Sequence, residues 1–219
     1  MTRVVYLHGF ASGPRSSKAQ FFRRKFAAAG VPMEIPQLDE GRFEDLTISG
    51  QLGVIERAVG DRPAILMGSS LGGYLAALYA ARNPRIERLV LLAPAFQFPR
   101  RWRERHSPEE WKREGSIPVF HHGDGRERRL GYLFVEDAAQ YEDEPEFAQP
   151  ALILHGVNDD VVPAAISSAY AARHPGVRLV LLESGHELTD VLEPMWAQVS
   201  YYLGVPESIE RGSIGISVD

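Results

Sequence analysis

Apolar residues fall along this chain in two alternating patterns. Short runs rich in valine, leucine and isoleucine, at 4–7, 33–37, 64–67, 88–93, 151–155 and 177–182, read as strands. Between them lie longer stretches whose apolar positions recur every three or four residues, which read as helices. Ser16 or Ser17 can cap a helix running to Ala29, with Gly30 as its stop signal. Ile48, Leu52, Ile55 and Val59 keep helical spacing despite Gly50 and Gly53. Further helices are expected over 71–82, closed by Asn83-Pro84, and over 163–173. A last helix carries Leu192, Trp196, Val199 and Leu203 on one face, and Pro194 is tolerable only in its first turn. The alternation predicts an α/β fold, a mostly parallel sheet of about six core strands flanked by helices.

That regularity breaks between Ala95 and Pro150. The interval mixes aromatics (among them Phe96, Phe98, Trp102, Trp111 and Phe134) with many charges. Ser107-Pro108-Glu109-Glu110 predicts a helix start, and 116–132 predicts a hairpin around Gly123-Asp124-Gly125. The domain reading is therefore a core of 1–94 and 149–204, a lid-like insertion of 95–148, and an extension of 205–219. A long insertion after a core strand commonly covers a site. Alternatively, it is a surface subdomain that packs its aromatics inward.

Composition narrows the function. With 219 residues, 44% of them hydrophobic, the chain can bury one substantial core. A net charge of −5 and the lack of a basic block argue against nucleic acid as partner. There are no cysteines, which excludes disulfides, thiolate catalysis and cysteine-ligated metals. No apolar run approaches the ~20 residues of a membrane-spanning helix. A cytoplasmic protein is the expectation, and the oligomeric state stays open.

The candidate chemistry starts at Gly68-Ser69-Ser70-Leu71-Gly72, a G-x-S-x-G pattern between a predicted strand and a predicted helix. A nucleophile on so sharp a turn brings the residues two before and two after it together, so both must be small. Around Ser70 these are Gly68 and Gly72; around Ser69 they would be Met67 and Leu71, which would clash. Ser70 is the candidate nucleophile. Its hydroxyl needs a base, and the base an orienting acid. In this architecture the chain order is serine, acid, histidine. His186 follows the sixth predicted strand, and Asp159 and Asp160 follow the fifth. The other histidines compete poorly: His106, His121 and His122 lie in the insertion, His174 ends a helix, and His155 reads as a strand-end residue. No metal-ligand spacing is present among them, so no metal is expected. The residues alone leave Asp159 and Asp160 open, since either can be a turn aspartate.

His155-Gly156-x-x-Asp159-x-x-Val162-Pro163 resembles the acid loop of the α/β-hydrolase superfamily. That resemblance implies Asp159 as the triad acid. His8-Gly9-Phe10 resembles the His-Gly loop that follows the first strand in many esterases. It implies an oxyanion hole built from the backbone N–H groups of Phe10 and Leu71. More narrowly, Tyr6-Leu7-His8-Gly9-Phe10, Ser12-Gly13-Pro14, Ser17-Lys18-Ala19 and Gly68–Tyr74 resemble the small bacterial esterases of the YqiA type. The likeness implies hydrolysis of small-molecule carboxylic esters or acyl thioesters without a cofactor. His8, Phe96, Trp102, Trp111 and Phe134 are the candidate pocket residues. Arg100, Arg101, Arg103 and Arg105 either steer an anionic group or form a solvated face balanced by Glu104, Glu109, Glu110 and Glu114. A lyase, a C–C bond hydrolase, an acyltransferase or a non-catalytic binding protein on this scaffold are the alternatives.

Overall fold

The computed structural model describes residues 3–105 and 107–205. Its centre is a six-stranded sheet built from β1 (Val4–Leu7), β2 (Met33–Glu34), β3 (Ala64–Ser69), β4 (Ile86–Leu92), β7 (Ala151–Gly156) and β8 (Val177–Leu182). The order is β2-β1-β3-β4-β7-β8, and every neighbouring pair is parallel. Parallel strands are covered on both faces, and the two-residue period divides their side chains accordingly. Val5, Leu7, Leu66, Leu89, Leu91 and Ile153 join one buried cluster; Val4, Tyr6, Met67, Val90, Leu92 and Leu154 join the other. α2 (Ile48–Val59), α3 (Leu71–Arg82) and α7 (Ala164–Arg173) bury their apolar sides in the first cluster. α1 (Ser17–Ala28) and α8 (Leu192–Leu203) bury theirs in the second.

Several element ends differ from the sequence expectation. β2 pairs over only two residues instead of five, because the chain continues through Pro36 at the sheet edge, where no ladder holds it. β3 runs on to Ser69, directly into the turn at Ser70. Ser16 sits at the N-cap of α1, but its side chain makes no capping bond.

The 95–148 interval holds α4 (Phe98–Arg105), α5 (Pro108–Glu114), a hairpin of β5 (Ser116–His121) and β6 (Arg126–Gly131), and α6 (Leu133–Ala138). Ser107 caps α5 by accepting from the Glu110 amide, and Gly115 closes it in the left-handed conformation. α6 has no side-chain capping bond at its N-cap, Tyr132. The interval folds inward on its aromatics: Phe98, Trp111, Leu130 and Phe134 are buried in the same cluster as α3. The hairpin is tied to a 3-10 turn of the core, Phe43–Asp45, by Arg128, whose Nε and Nη2 donate to the two Glu44 carboxylate oxygens at 3.0 and 2.8 Å. The extension expected over 205–219 lies, beyond Val205, outside the described residues.

Candidate active site

The first crossover carries the chain from β1 outward to β2, and the next places β3 on β1's other side. The loops after β1 and β3 therefore diverge at the carboxyl edge and leave a crevice, the usual ligand position in open α/β sheets. Ser70 stands there, at φ 53° and ψ −117°. So strained a conformation for a residue with a side chain persists only when its surroundings over-determine it. Here the Ser70 amide donates to Leu92 O, and its carbonyl accepts from the amides of Gly73, Tyr74 and Ala95. A Cβ on Gly72 would come 2.1 Å from Leu7 O, so only glycine lets α3 approach β1 this closely. The Leu71 amide opens α3, where first-turn N–H groups lack intrahelical acceptors and the helix dipole favours negative charge. On the other wall, a Cβ built on Gly9 would lie 3.6 Å from Ser70 Cβ, so the loop bearing Phe10 abuts the serine.

Two loops bring the remaining groups to Ser70. His186 Nε2 lies 3.0 Å from Ser70 Oγ, and His186 Nδ1 lies 2.7 Å from Asp159 Oδ2. Asp160 is exposed, whereas the Asp159 side chain is fully buried. Asp159 also serves the turn-aspartate role, with its other oxygen: Oδ1 accepts from the amides of Val161 (2.9 Å) and Val162 (2.7 Å). Burial by itself pushes the Asp159 carboxyl up. Hydrogen bonds from His155, His186 and the Val162 amide, aided by the His186 charge, overcome this and hold it well below the usual carboxylate range. The His186 loop is braced by Ser184, whose hydroxyl donates to Asp190, and Gly156 packs beneath it, where a Cβ would come 2.4 Å from Ser184 O. Lys18, buried on α1, reaches Glu187 at 3.7 Å, and burial pulls its ammonium down from the usual lysine range.

The candidate pocket residues separate into two groups. Trp102 and Phe10 are half-buried with ring centroids 5.0 Å apart, and the buried Phe134 ring packs against both. Phe96 and Trp111 face inward. Phe96 is fully buried and stacks on Tyr170 at 4.3 Å, and the Trp111 indole donates to Leu130 O. Both are closed to solvent and act in packing rather than as an open wall. His8 is buried as well; its Nε2 accepts from the Leu38 amide at 3.2 Å, and it borders a cavity of about 10 Å³ with Asp39, Gln51 and His121. That space is about large enough for one water molecule. Of the arginines, exposed Arg100 pairs with Glu104 at 3.8 Å, as on a solvated face. Arg101 instead spans from α4 to the acid loop, donating to Val161 O. Sequence reasoning placed His155 at a strand end, which is correct, but missed that it touches Asp159.

Residues 3–202 match the model of an uncharacterised protein family, UPF0227. The chain belongs to this family. Palmitoyl-protein thioesterase ABHD10, mitochondrial, from Mus musculus is 30% identical over 203 residues, 83% of this chain and 67% of that protein. Among solved structures, mouse α/β hydrolase domain-containing protein 10 superposes with a TM-score of 0.77 at 20% identity, covering 92% of this chain and 89% of its own. Est1E from Butyrivibrio proteoclasticus, solved with ferulic acid, gives 0.73 at 23% identity, covering 91% and 90%. The UPF0227 chain is thus an α/β hydrolase. No helix among its described residues is long and apolar enough to cross a membrane. The name of the mouse relative places that protein in mitochondria, so the expected cytoplasmic location gains no support from it.

Proposed function

We propose that this UPF0227 member hydrolyses small-molecule carboxylic esters or acyl thioesters through Ser70, His186 and Asp159. The observation that carries the reading is the continuous hydrogen-bond chain from Ser70 Oγ to His186 Nε2 (3.0 Å) and from His186 Nδ1 to Asp159 Oδ2 (2.7 Å). Its members come from the ends of three different strands. A relative named as a palmitoyl-protein thioesterase favours the acyl-thioester class.

In the proposed cycle, Ser70 Oγ attacks the acyl carbonyl as His186 Nε2 takes its proton. Asp159 keeps the His186 proton on Nδ1 and stabilises the imidazolium. The Leu71 and Phe10 amides donate to the developing oxyanion. His186 then returns the proton to the departing alkoxide or thiolate, leaving an acyl group on Ser70. Water, deprotonated by His186, attacks that acyl group; collapse of the second tetrahedral intermediate breaks the ester to Ser70 and returns the proton to its oxygen. The half-buried rings of Phe10 and Trp102 form an apolar acyl wall. Ser70→Ala should remove nearly all esterase activity and all labelling by a fluorophosphonate probe, with an unchanged circular-dichroism spectrum. Full activity in the folded variant would overturn the assignment.

A further inference from the structure

The acid loop contains a second histidine. His155 is fully buried near the end of β7. Its Nε2 lies 2.9 Å from Val162 O and 3.1 Å from Asp159 Oδ2, and its Nδ1 lies 2.8 Å from Ser167 Oγ on α7. A carbonyl oxygen and an ionised carboxylate only accept hydrogen bonds. The proton must therefore sit on Nε2, shared between the two, while Nδ1 accepts from the Ser167 hydroxyl. Four N–H groups then surround the Asp159 carboxylate: the Val161 and Val162 amides donate to Oδ1, His186 donates to Oδ2, and His155 Nε2 lies 3.1 Å from Oδ2.

We infer that His155 is a positioning residue for the catalytic acid, acting through Oδ2, the same oxygen that holds His186. The inference rests on the triad reading and deepens it. Two effects follow from the shared oxygen. The His155 bond fixes the rotation of the carboxylate, so that Oδ2 points at His186 Nδ1. It also withdraws charge from that oxygen, which limits how firmly Asp159 holds the imidazolium form of His186. Without it, the oxygen facing His186 carries more uncompensated charge, and the protonated base persists to higher pH. The other charged groups acting on Asp159 are Lys18 from α1 and Arg101 from α4, with Glu187 paired to Lys18. None of them contacts His155 in the described structure's hydrogen bonds or ion pairs, so replacing it leaves them in place.

Two amide variants separate this role from simple core filling. His155→Asn can keep a partner at Ser167 but cannot reach Asp159; His155→Gln carries a donor near the Nε2 position. The readout is kcat/KM for p-nitrophenyl acetate against pH, with thermal melting in parallel. His155→Asn should lower kcat roughly ten- to a hundredfold, the worth of a hydrogen bond to a charged group, with KM little changed. Its acidic limb should move up by about half a pH unit. His155→Gln should restore the limb and most of kcat. Equal kinetics in both variants, following their melting temperatures with no movement of the limb, would leave His155 structural and overturn the inference. A measurement on the unaltered protein guards against misfolded variants: histidine-selective 15N NMR should find His155 protonated on Nε2 and bare on Nδ1. The opposite tautomer would also overturn it. Retained activity in Ser70→Ala would instead remove the triad reading itself, and labelled Ser70 with an unmoved limb would remove only the role of His155.

Discussion

A methyl group placed on Gly68 would come 2.2 Å from the carbonyl oxygen of Gly72. The two ends of the Ser70 turn thus touch backbone to backbone, with no side chain that could yield. Gly68→Ala must spread the turn, and it should abolish fluorophosphonate labelling of Ser70 and cost about 2–4 kcal/mol of stability. Gly176→Ala is the control, since nothing lies within 4 Å of the added carbon. It should leave labelling intact and the melting temperature level or slightly raised. Normal labelling of Gly68→Ala would show that the turn is looser than described.

Asp159 and Asp160 should differ sharply despite being neighbours. Asp159→Asn removes the charge and can present an N–H where His186 Nδ1 now donates, favouring the wrong tautomer. A loss of about 10³–10⁴ in kcat is expected, the scale of the equivalent change in a serine protease. Asp160→Asn, at an exposed position, should stay within twofold of wild type. Steady-state kinetics on a p-nitrophenyl ester decides between them, and comparable losses would mean that the acid has been misassigned.

The Glu44–Arg128 contact ties the β5–β6 hairpin to the 3-10 turn at Phe43–Asp45 and should weaken in acid. The Arg128 hydrogen bonds hold the Glu44 carboxyl down from 4.5 to about 2. A carboxyl depressed in the folded state stabilises fully above its unfolded value, so the contribution is present above pH 4.5 and lost as pH falls towards 2. Both partners are near the surface, with Glu44 half-exposed, so the effect at neutral pH is about 0.2–1 kcal/mol. The melting temperatures of wild type and Glu44→Gln should differ at pH 7 and converge as pH drops towards 2. A gap that persists unchanged would place the contribution elsewhere.

Trp102 offers a test of the apolar wall. Its half-buried ring packs on Phe134 and on Phe10, the residue after the Gly9 that abuts Ser70. Trp102→Ala should raise KM for hexanoyl and longer esters several-fold while changing acetyl esters little. A uniform rise across the chain-length series would make Trp102 a packing residue. Phe134→Ala, in contrast, should be felt first as stability, at about 3–5 kcal/mol, because that ring is wholly buried.

Much of the fold was legible because two-sided burial writes itself into a parallel sheet. Val4 to Leu7 and Leu152 to Leu154 are apolar at every position, since each face of the sheet meets its own cluster. The nucleophile could be found for an equally local reason: only glycine fits at 68 and 72, so the strain around Ser70 is visible in its neighbours. Less could be read in the 95–148 interval. α5 announced itself by Ser107 and Pro108, and the hairpin by its glycines, but α6 has no side-chain capping bond and is held by tertiary burial of Phe134. The reach of Phe96 and Trp111 into the core likewise depends on what faces them, and their aromatic character fits a pocket wall equally well.

The sequence by itself determined the alternating sheet and helices, the turn that can hold Ser70, and the order in which an acid and a histidine follow it. These properties depend on local sterics and on hydrophobic period, which a single stretch of chain carries. Only the tertiary structure decided that Asp159 rather than Asp160 meets His186, and that His155 meets the same oxygen. It also decided that the His8 ring is buried and accepts from the Leu38 amide of the neighbouring loop. Adjacent aspartates differ in direction, not in chemistry, and which direction closes a hydrogen bond is set by where β7 and β8 end relative to each other. That relation between strands distant in sequence exists only once the sheet is assembled.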